Sequence, residues 1–402
     1  MNKDIKFKEL IESSFKGITP KYVEKSSIIV LNQKCIRNNV INYSLAQYHS
    51  DDKAVPENKF LKVGDILINS TGQGTAGRCA FVKELPENKL VTIDSHILVI
   101  RMSDFYTAGF AGYHLYNIEK LLQTFMDGST GQGEFDKQRL YNVFVRLPSE
   151  NSRKSIYELL SEIDEKIALN NQINATLEQM AKTLYDYWFV QFDFPDDNGK
   201  PYKSSGGEMV YNETLKRDIP KGWEVITLGK ITICHDSKRV PLSSQQRLEK
   251  QGEYPYYGAT GIFDFIDDYI FDGDYVLMAE DGSVMDDKGN PILQRIYGKT
   301  WVNNHAHVLE PISDYTCYLL MLLLKDVSVK KIKTGSIQMK INQENMNNIP
   351  LVSIPEDLKN KINNILLDLD KQLISIKKQN IELIKLRDWL LPMLMNGQVT
   401  VQ

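Results

Sequence analysis

The chain has 402 residues, 42% of them hydrophobic and 25% charged, with a formal net charge of −4. That length holds two or three domains and that balance is ordinary for a soluble globular protein, while the net acidity argues against a uniformly basic nucleic-acid binder and leaves room for local basic patches. No apolar run reaches the ~18 residues that span a bilayer, the opening segment lacks a signal core, and Cys35, Cys79, Cys234 and Cys317 are scattered without a CxxC, so a cytoplasmic chain with no zinc site or disulfide framework is expected.

Residues 1–150 read as a first, β-rich module. Strands are predicted at 27–31, 60–69, 78–82, 90–93 and 97–101 from alternation and breakers, a helix at 113–126, a glycine-rich loop at 128–133 and a last strand at 143–147. Ser149 or Ser152 then caps a long helix. Its apolar residues Ile156, Leu160, Ile163, Ile167, Leu177, Ala181, Leu184 and Trp188 step by fours and threes, a heptad seam. Residues 194–222 form a connector rich in Pro, Gly, Asp and Ser, expected to be irregular. Residues 223–355 read as a second β-rich module, within which the apolar run 317–324 is a buried segment. A second long helix follows over 356–397, as the first does over 151–193.

The two halves repeat. The first seam maps onto Ile362, Leu366, Leu369, Leu373, Leu383, Arg387, Leu390 and Leu394 with an offset of 206. Seven of these eight positions keep their apolar class, Arg387 being the exception, and Asn174 maps onto Asn380 in the same phase. Gly64 and Gly273, like His96 and His305, are 209 apart, and Gly128-Ser129 and Gly335-Ser336 are 207 apart. A unit of module plus helix is therefore duplicated. Each helical arm of ~39 residues is roughly 58 Å long, too long for the interior of a compact domain and suited to a spacer. Antiparallel packing is the economical arrangement, because the connector then reaches a neighbouring module. It would bring Asn174 and Asn380 together across a pseudo-twofold. The fold class expected is α+β: two β-rich globular domains separated by two long helices packed as an antiparallel coiled coil, with Ile163, Ile167, Asn174, Leu177, Leu369, Leu373, Asn380 and Leu383 in the seam.

Few motifs carry chemistry. Gly72-Gln73-Gly74-Thr75-Ala76-Gly77 matches GxGxxG, but a strand-like segment follows where a dinucleotide site needs a helix, so a hairpin turn is the better reading. There is no (N/D)PP(Y/F) methyltransferase loop, no nuclease PD…(D/E)xK set and no Walker loop. Asp94-Ser95-His96 cannot converge as a triad on a strand. His305 and His307 share a strand face without a third metal ligand. More suggestive are Gly128-Ser129-Thr130-Gly131-Gln132 and Thr334-Gly335-Ser336-Ile337-Gln338, small polar loops ending in Gln at the same relative place. Hydroxyls and backbone N–H groups suit phosphates, and Gln suits an adenine edge. Ser70, Thr71 and Gln73 offer a similar loop in module one, whereas its counterpart Glu280-Asp281-Gly282-Ser283 is more acidic. Lys16, Lys21, Lys34, Arg37 and Arg78 in the first module are candidate phosphate neutralisers, as are Lys238, Arg239, Lys333 and Lys340 in the second. The DNA-binding candidates thus include Ser129, Thr130, Gln132, Thr334, Ser336 and Gln338 beside these cations.

The sequence resembles the specificity subunit of a type I restriction–modification system over essentially its whole length. The resemblance is carried by Trp188-Phe189-Val190-Gln191-Phe192-Asp193-Phe194-Pro195, by Asn198-Gly199-Lys200-Pro201-Tyr202-Lys203-Ser204-Ser205-Gly206-Gly207, by Ile219-Pro220-Lys221-Gly222-Trp223, by the turn Gly335-Ser336-Ile337-Gln338 and by the closing Leu390-Leu391-Pro392-Met393-Leu394-Met395-Asn396-Gly397. It implies two target recognition domains, each reading half of a split double-stranded DNA sequence, with the helices setting the spacing between halves. It implies docking of two modification subunits that methylate adenine with S-adenosylmethionine, and of restriction subunits that use ATP and Mg2+. The chain itself would be non-catalytic and hold no cofactor. A coiled-coil adaptor that binds no DNA and a single-chain DNA-modifying enzyme are the competing classes. Salt-sensitive binding to a specific duplex separates the first from the specificity reading, and activity of the isolated chain would revive the second.

Overall fold

A computed structural model of the chain describes residues 3–72, 74–127, 133–312, 314–335 and 339–401. The chain divides into two compact units, residues 1–170 with 379–402, and residues 171–378. The division falls inside both long helices. Each unit therefore holds one module, the start of that module's own arm and the end of the other arm.

The first module opens and closes on one antiparallel pair, Lys3–Lys6 with Phe144–Leu147, so the chain enters and leaves it beside the start of the first arm. Between lie two four-stranded sheets. One runs in the order Leu90–Ile93, Ile28–Leu31, Gln47–His49, Tyr22–Val23, the other Ser13–Lys16, Ile97–Arg101, Ile66–Asn69, Cys79–Phe81. Alternation along the second sheet builds two cores: Ile66, Ile68, Leu98 and Ile100 join one, while Leu67, Ile97 and Val99 join the other. The helix expected over 113–126 starts earlier, at Phe105, runs to Asn117, and is followed by a short turn of helix, Glu119–Leu122. Asp104 sets its start, its carboxylate accepting from the Thr107 N–H at 2.7 Å. Residues 107–115 are buried without interruption, so no one-sided stripe marks the element. Its Gly109 lies against the first arm, where an added Cβ would come within 2.3 Å of the Tyr157 ring.

The second module repeats the closing device with Glu224–Thr227 against Pro350–Ser353. Its main sheet has six strands in the order Thr232–Cys234, Ala306–Pro311, Phe271–Ala279, Leu293–Val302, Gln251–Tyr257, Ile262–Ile266. The apolar run at 317–324 is a helix, Cys317–Leu324, in the core of the unit. The connector is more regular than its composition implies. Met209–Asn212 and Arg217–Pro220 form an antiparallel hairpin, turned by Asn212, whose Oδ1 accepts from the N–H groups of Thr214 and Leu215 at 3.0 Å. Asp193 accepts from Ser204 N and Oγ at 2.7 and 2.6 Å, and Phe194 stacks on Tyr202 and Trp223. Side-chain hydrogen bonds and aromatic packing thus order the part of the connector that precedes the hairpin.

The first arm is an α-helix from Glu150 to Tyr185 that ends in a π-turn, Asp186–Val190; the second runs from Glu356 to Met395. Within each unit the arm segments run in opposite directions. In the first, Asp164 meets Arg387 at 3.1 Å and Asn170 meets Asn380 at 2.8 Å. In the second, Glu178 meets Lys377 at 3.2 Å, and Tyr185 and Trp188 share a core with Leu358, Ile362 and Leu366. Arg387, the exception to the apolar seam, is thus an ion-pairing position. Its partner Asp164 also accepts from the Tyr113 hydroxyl of module one at 2.7 Å. The equivalent acid in the second arm, Asp370, is held by Arg295 of module two.

Candidate nucleic-acid interface

The two modules share one corner, built hydrogen bond by hydrogen bond. In the first, the strand Ile66–Asn69 runs into Ser70, whose N–H donates to the His96 carbonyl and whose own carbonyl accepts from Phe135 N–H, both at 2.8 Å. The next residue, Thr71, bridges Glu134, and its Oγ1 lies 2.9 Å from His96 Nδ1. The His96 N–H donates to Asp94 Oδ1 at 2.9 Å. In the second module the Glu280 N–H donates to the His305 carbonyl and the Glu280 carbonyl accepts from Ile341 N–H, again both at 2.8 Å. Asp281 bridges Lys340 and lies 2.6 Å from His305 Nδ1, and the His305 N–H donates to Asn303 Oδ1 at 2.8 Å. Asp94-Ser95-His96 is therefore a turn in which the acid fixes the backbone of the imidazole residue. An exposed imidazole stands at each corner, next to the segment that follows 128–132 in one module and beside the Asp281–Lys340 bridge in the other. The spacing of His96 and His305 was visible in the sequence; the partners that hold them lie 24 or 25 residues away and carried no local signal.

The corner gathers some of the candidates. Ser70 is buried and Thr71 half-buried at it. Lys16 pairs with Glu134; burial, then the charge of Lys137, lowers its ammonium pKa. Thr334 donates its N–H to the Lys340 carbonyl at 2.7 Å, and Lys340 Nζ lies 3.1 Å from Glu280. Lys34, Arg37 and Lys238 are exposed, and Arg78 and Lys333 half-buried. Lys21 lies 4.0 Å from Asp52. Gln73, Ser129, Thr130, Gln132, Ser336 and Gln338 lie outside the described residues. The run 72–77 links the antiparallel strands Ile66–Asn69 and Cys79–Phe81, a hairpin connection.

Arg239 is an internal ion-pair partner. It lies 3.1 Å from Asp236 and 2.6 Å from Glu280, donates to the Ala306 carbonyl at 2.7 Å, and its side chain is only 10% exposed. Asp236 is a local partner three residues before it, whereas Glu280 lies 41 residues away and gave no local sign. His305 and His307 likewise diverge: His305 turns to Asp281, whereas His307 is buried, with Nδ1 2.5 Å from Asp236 and Nε2 2.8 Å from the Ile341 carbonyl. Ligand atoms of Cys234, Asp236 and His307 do lie within 4.8 Å of one another. Both His307 nitrogens are already taken, Arg239 adds positive charge, and burial, followed by Asp236, pushes the Cys234 thiol up to about 12. The group is a hydrogen-bonded brace rather than a set of ready ligands. For Asp236, burial alone would raise the carboxyl, but His307 and Arg239 outweigh it and hold the pKa low.

Along the arms, Ile163, Leu177 and Leu373 are buried and Ile167, Leu369 and Leu383 half-buried. Asn174 and Asn380 are also buried. Asn170, which the apolar pattern does not mark, donates to both Gln379 Oε1 and Asn380 Oδ1, at 2.7 and 2.8 Å. No described helix is long and apolar enough to cross a membrane.

Comparison with known proteins gives this architecture a family. The type I restriction modification DNA specificity domain matches residues 2–179 and again 220–386. The type I restriction enzyme MjaIX specificity subunit of Methanocaldococcus jannaschii is 26% identical over 310 residues, covering 72% of this chain and 69% of that protein. A putative type I restriction enzyme specificity subunit of Haemophilus influenzae is 30% identical over 160 residues, 39% of this chain and 40% of its own length. The crystal structure of a type I restriction–modification S subunit from M. genitalium aligns with a TM-score of 0.57 over 98% of this chain and 96% of that one, at 17% identity, a likeness of fold. With the domain matched twice and over most of its length, the chain belongs to the type I restriction modification DNA specificity family.

Proposed function

We propose that the chain is the DNA-reading subunit of a type I restriction–modification complex, non-catalytic in itself, with each module reading one half of a split target. The observation that carries this is the duplicated corner, the same hydrogen-bonded frame at the end of a buried strand in both modules, together with membership of the family. Rigid strand ends suit base reading, because a reader must be held to within a fraction of an ångström. Exposed Lys34, Arg37 and Lys238 supply phosphate contacts that position the duplex without specifying sequence. Two modification subunits holding S-adenosylmethionine methylate adenines, and restriction subunits holding ATP and Mg2+ join them. Both dock on the arms, the first exposing Leu169, Ile173 and Met180 and the second Ile381, Ile384, Leu386 and Trp389. A cytoplasmic location follows from that role.

The test is a genome-wide map of methylated adenines in a strain expressing the chain with its modification subunits, against a matched strain lacking the chain. A bipartite motif that disappears with the chain supports the proposal, and exchanging residues 1–150 should then change one half of the motif only. If an active complex forms and no methylation depends on this chain, the coiled-coil adaptor takes its place.

A further inference from the structure

The second module contains a cavity of about 520 Å³ beside its corner, between the turn at 258–261 and residues 303–305. We infer that this pocket reads an A·T base pair in that module's half-site, with Asn304 and Thr260 bonding the adenine edge and Phe263 packing on the thymine methyl. The inference rests on the DNA-reading function proposed above and names the residues that would carry it out.

The walls are rigid. The Gly258 N–H donates to the Gly261 carbonyl at 2.8 Å, closing the turn. Gln294 Nε2 clamps it, donating to the carbonyls of Gly258 and Ala259 at 3.0 and 2.9 Å. On the opposite wall the buried Asn303 spends its Oδ1 on the His305 N–H at 2.8 Å. What remains uncommitted is selective. Asn304 and Thr260 are exposed, line the pocket, and make no side-chain hydrogen bond among the described residues. Phe263 is 66% exposed, yet its ring is held by the Arg247 guanidinium 4.7 Å away. Arg247 is itself tied to Asp264 at 3.1 Å and to the Leu242 carbonyl at 2.7 Å.

These groups point to a base rather than a phosphate. The cation lining the pocket, Arg247, is already paired, and His305 faces the carboxylate of Asp281. A backbone anion would therefore find no free positive charge. A free carboxamide, in contrast, matches the N6 donor and N7 acceptor of adenine, and an apolar ring beside it matches the C5-methyl of the paired thymine. The pinned ring also loses little conformational freedom on binding.

The experiment uses the complete methylating complex. The wild-type motif is mapped first, and competition binding then ranks duplexes that each carry one replaced base pair. Asn304→Ala and Phe263→Ala should each lower discrimination at one A·T pair in the second module's half-site by about ten- to a hundredfold. Thr260→Val should lower it less, and the other half-site should read as before. Unchanged melting temperatures establish that the variants fold. Unaltered discrimination in Asn304→Ala and Phe263→Ala overturns the inference, as does an affinity loss equal for every duplex. A wild-type complex with a bipartite target but variants indistinguishable from it refutes this pocket alone; a wild-type complex without any target refutes the underlying function too.

Discussion

Replacing Arg295 by Met tests how the second arm is fastened to its module. The guanidinium grips Asp274 with Nε at 2.8 Å and Nη2 at 2.5 Å, and its Nη1 reaches Asp370 on the arm. The two carboxylates are not equivalent: the Asp370 side chain is 11% exposed and that of Asp274 41%. Losing the Asp274 contact therefore costs about 0–1 kcal/mol, as for exposed pairs. Losing the Asp370 contact strands a buried carboxylate, which costs about 3–5 kcal/mol. A total near the lower end, about 3–4 kcal/mol, is expected because Asp370 keeps a little water. For a unit of this size that corresponds to a fall in Tm of about 6–15 °C. Calorimetry and urea unfolding of Arg295→Met, Asp370→Leu and the double variant would measure it. Removing both charges should restore most of the loss, since an apolar pair in the same space is often neutral or better. An Arg295→Met chain within about 1 kcal/mol of the parent, or a double variant less stable than Arg295→Met, would show that this ion pair does not fasten the arm.

Further outcomes follow from the same reasoning. Arg239→Met should destabilise the second module by about 2–4 kcal/mol in urea and leave the salt dependence of DNA binding unchanged, whereas Lys238→Ala should leave stability unchanged and reduce the slope of log K against log salt by about 1. For Glu280, burial would raise the carboxyl, but Arg239, His307 and Lys340 outweigh it; with Asp236 it is held below its unfolded value. Their contribution is full above the unfolded values near pH 4 and is lost as pH falls through the lower folded ones. Urea midpoints between pH 6 and pH 3 should therefore drop more steeply in the parent than in Asp236→Asn/Glu280→Gln. Gly109→Ala should cost about 1–3 kcal/mol by driving a methyl into the Tyr157 ring, seen as a lower urea midpoint together with altered near-ultraviolet circular dichroism.

How much was legible depended on sequence distance. The arms announce themselves because a heptad step is local and repeats, and Arg387, odd in the pattern, proved to be the partner of Asp164. Strands such as Ile97–Arg101 and Leu90–Ile93 stand at their expected positions because apolar runs between breakers are local too. The helix from Phe105 was half hidden: buried without interruption over residues 107–115, it has no stripe there. Asp104 three residues before Thr107 was the available signal. The charge brace of Asp236, Arg239, Glu280 and His307 was largely hidden. Asp236 and Arg239 are neighbours in sequence, but Glu280 and His307 are far from both, and each alone resembles a surface charge. The same distance concealed the Thr71–His96 and Asp281–His305 pairs, although the matching spacing of the two histidines marked the place. Nor does apolar periodicity mark Asn170, since the seam pattern records only apolar positions.

The units are unlike in one respect that matters during synthesis. The second is a single stretch, 171–378, whereas the first is completed by residues 379–402. Leu394 and Met395 are 2% exposed in the core that also buries Ile156 and Leu160. At ribosomal rates of about 5–20 residues per second, that core waits roughly 10–50 seconds for its last side chains. The half made first is therefore the half finished last. Until the second arm emerges, the first arm's apolar stripe near module one stays open to water and to neighbouring nascent chains.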